Sequence, residues 1–176
     1  MPVKIKNKKI NLQSLVFLAL LVAINIVLQK ISFGPATLKV GLGFIGNIML
    51  GYYFGPIWGG FGALISDLLS SAIFGVEGGF FPGFTLSAVL AVVIYGLFLY
   101  HQPVKLWRIA IATILVTIIV NILLNTYWLH LLYGINLKLA FLQRIAKELI
   151  VPWLQIAIGY IILQALQRVK INRYFK

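Results

Sequence analysis

Few side chains in this 176-residue sequence are able to do chemistry, so the places they occupy carry weight. Asp67 falls near the middle of an apolar stretch, where an ionisable group is costly and marks a site by default. Asn121 and Asn125 stand four residues apart in another such stretch, so on a helix they share one face. Arg144, Lys147 and Glu148 gather at the start of a third, with Lys39 in an earlier loop and Tyr127 and Trp128 close by. Cations, a carboxylate, amides and aromatic rings together suit a flat, partly aromatic, anionic solute. Each residue also has a plainer reading. Asp67 serves equally as a protonated or hydrogen-bonded structural carboxylate, the asparagines as interhelical partners, and Glu148 as the ion-pair partner of Arg144 one turn away.

Catalytic signatures are absent: no Gly-x-Ser-x-Gly elbow, no His-Glu-x-x-His zinc helix and no Gly-x-x-x-x-Gly-Lys-Ser/Thr phosphate loop. The two histidines, His101 and His130, are expected near opposite ends of the membrane, too far apart to share a metal. The lack of cysteine removes disulfides, thiolate metal sites and cysteine nucleophiles. No cofactor, no metal and no enzymatic activity are expected. Without an ATP-binding motif, uphill transport needs an energised partner.

The elements that must position these residues are membrane helices. The sequence is 61% hydrophobic with mean hydropathy +1.01 and only 10% charged, against roughly 45–50% apolar for a soluble domain. Apolar runs can be drawn at about 12–29, 40–55, 57–76, 82–100, 107–132 and 145–166, each near the ~20 residues that span a bilayer. The fold class predicted is an all-α integral membrane bundle of six transmembrane helices. Its weakest boundary is Gly55-Pro56, a turn between the second and third runs. Residues 12–168 form the membrane domain, flanked by basic segments at 1–11 and 169–176. The lysines of Met1–Lys9 resemble a signal peptide's basic start, but no small-residue cleavage site follows, so the first run is expected to be retained.

Charge sets the orientation. Lysine and arginine number 15 against 3 acidic residues. One side would hold Lys4, Lys6, Lys8, Lys9, Lys105, Arg108, Arg168, Lys170, Arg173 and Lys176; the other holds Lys30, Lys39, Lys138, Arg144 and Lys147. The excess places both termini in the cytoplasm. The outer face keeps enough cations, with only Glu77 and Glu148 beside them, to attract an anion. Nucleic-acid binding is not expected, because the charge lies between apolar runs rather than along a polar face. Trp58, Trp107, Trp128, Tyr100 and Tyr133 fall near span ends, as interfacial rings do. Gly51, Gly55 and Gly59 repeat at four-residue spacing, which serves close helix packing within the chain or against a partner.

Particular motifs then point one way: Ala19-x-x-x-Ala23, the run Phe80-Phe81-Pro82-Gly83-Phe84-Thr85-Leu86-Ser87-Ala88, Leu124-Asn125-Thr126-Tyr127-Trp128-Leu129, Leu132-Tyr133-Gly134, and Arg144-x-x-Lys147-Glu148-Leu149-Ile150-x-Pro152. In this order, over nearly the whole chain, they resemble the substrate-binding S components of energy-coupling factor (ECF) vitamin transporters, most closely the folate-specific branch. The resemblance implies a bacterial cell-membrane subunit that captures folate outside and has no ATPase of its own. It implies as partners a transmembrane coupling protein and two cytosolic ATPases. Ala19 and Ala23 match the family's docking motif, and Gly51, Gly55 and Gly59 are assigned with them to the partner surface.

For folate, the resemblance and the chemistry together suggest Glu148 as acceptor from the pterin N–H groups, with Asn121 or Asn125 assisting. Phe80, Phe84, Tyr127 and Trp128 are candidate ring contacts. Lys39, Arg144 and Lys147 would receive the glutamate carboxylates, unless Arg144 holds Glu148 instead. The competing expectations are an S component for pantothenate or a thiamine precursor, and a structural or assembly membrane protein with no small ligand.

Overall fold

The computed structural model describes residues 11–33, 40–75, 80–134 and 136–168. Residues 1–10 and 169–176 of the basic terminal segments, Lys39 and Glu77 lie outside the described residues. The element order is α1 (Leu12–Lys30), β1 (Ser32–Phe33), β2 (Val40–Gly41), α2 (Gly43–Phe74), α3 (Pro82–Leu99), α4 (Leu106–Leu115), a π-helical stretch (Val116–Leu124), α5 (Asn125–Tyr133), α6 (Leu137–Glu148) and α7 (Val151–Arg168). The short strands pair antiparallel, Ser32 opposite Gly41, and are an addition to the purely helical expectation. Among the described residues, four segments are long and apolar enough to cross a membrane: Leu12–Lys30, Gly43–Phe74, Pro82–Leu99 and Leu106–Tyr133.

The bundle is apolar outside and partly polar inside. Leu12, Val16, Leu20 and Val27 on α1 and Ile65, Leu69 and Ile73 on α2 are exposed, while Asn25, Ser66, Ser70, Thr85, Ser87 and Thr113 are buried. So much contiguous apolar surface would not persist in water. In lipid it is the solvated face, and the helices keep their backbone polar groups satisfied internally.

α2 is two antiparallel arms rather than one rod. Gly55 adopts φ 72 and ψ −168, a conformation open to glycine and strained for other residues, and Pro56 has no N–H to continue the ladder. A continuous helix would hold Asn47 and Ser66 roughly 28 Å apart. Instead the Asn25 amide reaches both, at 3.3 Å to Asn47 and 2.9 Å to Ser66. The reversal therefore sits at the Gly55-Pro56 boundary.

The glycines let these arms meet α3. A Cβ on Gly51 would stand 2.8 Å from the Gly96 nitrogen and from Tyr95 Cβ. One on Gly55 would meet the Tyr100 ring at 2.9 Å, and one on Gly59 the Leu50 carbonyl at 2.8 Å. All three glycines are buried. Their assignment to a partner surface is corrected: the faces they leave open are filled from within the chain.

One apolar cluster joins Ile48, Tyr95, Leu99, Ile109 and Leu163 across α2, α3, α4 and α7. A second packs Leu18, Leu21, Val22 and Ile26 of α1 on Leu50, Ala63 and Val92. The apolar run expected as a single helix over 145–166 is split. Pro152 cannot donate to the Glu148 carbonyl, so α6 ends there, with Ile150 N–H turning back to the Lys147 carbonyl at 3.1 Å. At its start, the Asn136 side chain accepts from the Lys138 N–H at 3.0 Å and caps α6.

Candidate ligand-binding site

A cavity of about 390 Å³ opens where the C-terminal end of α1, both arms of α2, α3, the π-helical stretch and α7 converge. Its walls are apolar and partly aromatic: Phe44, Phe84, Ala88, Ala91, Tyr95, Val116 and Val120. Its polar lining consists of the amides Gln29, Asn47, Asn121, Asn125 and Gln155, the Ser87 hydroxyl and the Asp67 carboxyl. An amide both donates and accepts, so five of them can follow the edge of a hydrogen-bonding heterocycle. The volume falls in the range of small-molecule pockets, roughly 300–1,000 Å³.

The π-helical stretch explains one wall. At about 100° per residue an α-helix would turn Asn125 half a revolution away from Val116. With wider π turns, the Asn125 N–H returns to the Val120 carbonyl five residues back, and Val116, Val120, Asn121 and Asn125 all reach the cavity. Such stretches are rare and recur at functional sites. The Asn125 Oδ1 is buried without a hydrogen-bond partner in a side chain that lines the cavity.

Two side chains of α6 grip Asn121 from behind. Arg144 Nη1 donates to the Asn121 backbone carbonyl at 2.7 Å, and Asn121 Nδ2 donates to Glu148 Oε2 at 3.2 Å. Glu148 is buried at 9% exposure, yet it is not part of the cavity lining. Asp67 is: its Oδ2 accepts from Thr85 Oγ1 at 2.7 Å, which leaves its other oxygen available. Trp128 stands a layer back, its indole N–H donating to Ser87 at 3.1 Å.

Of the residues singled out from sequence, Asn121, Asn125 and Phe84 line the cavity together, with Asp67. Arg144 and Glu148 act on it through Asn121, and Trp128 through Ser87. Lys147 is half-buried outside the lining, and Tyr127 and Phe80 are exposed. The roles suggested for Glu148 as a direct acceptor and for Phe80, Tyr127 and Trp128 as wall rings therefore do not match the cavity. Gln29, Asn47, Gln155 and Phe44 were not singled out. The first three carry the signal that marked Asn121 and Asn125, an amide inside an apolar run, and Gln29 also follows Asn25 at helical spacing.

Among the described residues the lining holds no cation. Lys30 stays at the α1 terminus, donating to the Gly75 carbonyl at 3.3 Å with its ammonium over the Phe74 ring.

Comparison with known proteins adds the lineage. Residues 13–168 match the family described as ECF transporter, substrate-specific component. The chain belongs to that family. It is the family its motifs resemble, and this S component is accordingly a bacterial membrane protein. It is 38% identical over 144 residues to a folate transporter FolT of Clostridium novyi, covering 81% of this chain and 82% of that one. Against a folate transporter FolT of Leuconostoc mesenteroides it is 34% identical over 161 residues, covering 88% and 86%. A crystal structure of FolT bound with folic acid superposes at TM-score 0.78 and 35% identity, covering 85% of this chain and 92% of that one. This S component is thus similar to folate transporters of its family over most of its length.

Proposed function

We propose that this S component binds folate in the cavity between α1, α2, α3 and the π-helical stretch, and delivers it to an ECF transporter. The observation that carries the reading is the pairing of the Asp67 carboxyl with five amides on aromatic walls, in a chain 38% identical to a folate transporter. A pterin offers adjacent N–H donors and a carbonyl acceptor on a flat ring. Asp67 accepts from the donors, the amides complete the edge, and Phe44, Phe84 and Tyr95 cover the faces. The glutamate tail points to the end of the bundle that carries Lys30, Arg144 and Lys147, where charge-assisted bonds to its carboxylates form.

Delivery uses a coupling protein in the membrane and two cytosolic ATPases. Ala19 and Ala23 are exposed on α1 and, with Val16 and Val27, form a shallow strip free of charge. Small residues of this kind let a second helix approach closely. With α2 counted as two spans and α7 as the last, the chain crosses the membrane six times, both termini in the cytoplasm and the cavity toward the outside.

The test is a thermal-shift and calorimetric titration of the detergent-purified chain with folate, pantothenate and thiamine. Saturable stabilisation by folate alone is the expected result, since a ligand present at 100 times its Kd adds about 2.7 kcal/mol. Stabilisation by another vitamin instead, or by none of them, would overturn the reading.

A further inference from the structure

Asn25 and Ser66 are both fully buried, at 0% exposure, and neither is part of the cavity lining. They nevertheless hold two amides that are. Asn25 uses its N–H groups on Ser66 Oγ at 2.9 Å and Asn47 Oδ1 at 3.3 Å. Ser66 Oγ accepts in addition from Gln29 Nε2 at 3.1 Å. A Cβ at Gly46 would collide with the Asn25 amide, so the backbone of α2 is pressed against this network.

The two ends of an asparagine or glutamine amide have nearly the same shape and opposite hydrogen-bonding sense. A free amide rotates to suit whatever ligand arrives. Here Gln29 has its nitrogen engaged and Asn47 its oxygen. That leaves the Gln29 oxygen as an acceptor and the Asn47 nitrogen as a donor, on side chains that line the cavity.

We propose that the Asn25–Ser66 pair is a specificity-determining device: without touching ligand, it fixes which way the Gln29 and Asn47 amides face, and so which donor and acceptor pattern the cavity accepts. The proposal rests on the folate reading and deepens it. Both residues are positioning residues. Their removal costs discrimination between ligands of the same shape with exchanged donors and acceptors, which a loss of general stability does not touch. Asn25 also lies on the helix that exposes Ala19 and Ala23, so the network ties the ligand end of α1 to both arms of α2.

Folate and aminopterin form the needed pair of probes, because replacing the pterin carbonyl by an amino group turns that acceptor into a donor. Both are titrated by calorimetry onto the purified full chain, onto Ser66→Ala, which removes one oxygen with almost no change of volume, and onto Asn25→Ala. Ile109→Val, deep in the other core cluster, is the control for stability. The unaltered chain prefers folate; Ser66→Ala and Asn25→Ala narrow the ratio of the two affinities by about tenfold, the size of one unmade hydrogen bond. The control keeps the ratio. Parallel weakening of both ligands in Ser66→Ala would overturn the positioning role while leaving the folate reading intact. An unaltered chain that binds neither ligand would overturn both.

Discussion

Glu148 accepts a hydrogen bond from Asn121 at 3.2 Å, and of the two it is Asn121 that lines the cavity. The carboxylate thus engages the amide nitrogen and leaves the amide oxygen on a side chain that lines the cavity. In a double-mutant cycle read by folate affinity, Glu148→Gln and Asn121→Ala are non-additive by about 0.5–3 kcal/mol, as expected for residues acting as one unit. Simple additivity would mean that Glu148 reaches the ligand independently.

Among the described residues, Asp67 is the carboxylate in the cavity lining. Asp67→Asn keeps the shape and removes the charge, and lowers folate affinity by about 1.5–3 kcal/mol, the worth of a hydrogen bond to a charged group. Thr85→Val, which removes the 2.7 Å bond that orients Asp67, costs about 0.5–1.5 kcal/mol. Calorimetry on the two variants measures both; unchanged affinity in Asp67→Asn would take it out of the contact set.

Gly51 packs on Tyr95 and Gly96 inside the bundle. Gly51→Ala overpacks that contact and destabilises the chain by about 1–3 kcal/mol, seen as a lower unfolding temperature in detergent. Assembly with the coupling protein is retained at a temperature where the variant is folded. A variant of native stability that fails to assemble would return Gly51 to a partner surface.

Ala19 is exposed on α1, on a face that the chain's own helices leave open. Ala19→Trp therefore leaves folate affinity unchanged on the purified subunit and abolishes uptake in cells that supply the coupling protein and ATPases. Normal uptake would move the docking surface elsewhere.

Hydropathy alone located the apolar segments, because spans of this length need only a run of residues that lipid tolerates. The break in α2 was legible from residue type instead, since Gly55-Pro56 combines a residue free to take positive φ with one that cannot donate. The break after Glu148 was less visible. Pro152 acts four residues upstream, on a carbonyl that hydropathy does not register.

What the sequence by itself determined is a membrane bundle, its family, and the rule that amides inside apolar runs mark a site. The rule picked out Asn121 and Asn125, and it applies equally to Gln29, Asn47 and Gln155. Only the tertiary structure decided which polar groups line the cavity. The π-helical stretch brings Val116 and Val120 to the same cavity as Asn121 and Asn125, where α-helical spacing would set Val116 opposite Asn125, and reversal at Gly55 brings Asp67 to the wall while Glu148 stays behind Asn121. Gly55-Pro56 marks locally where α2 reverses, but which side chains then meet around the cavity depends on packing between segments distant in sequence, which no local pattern of residue types encodes.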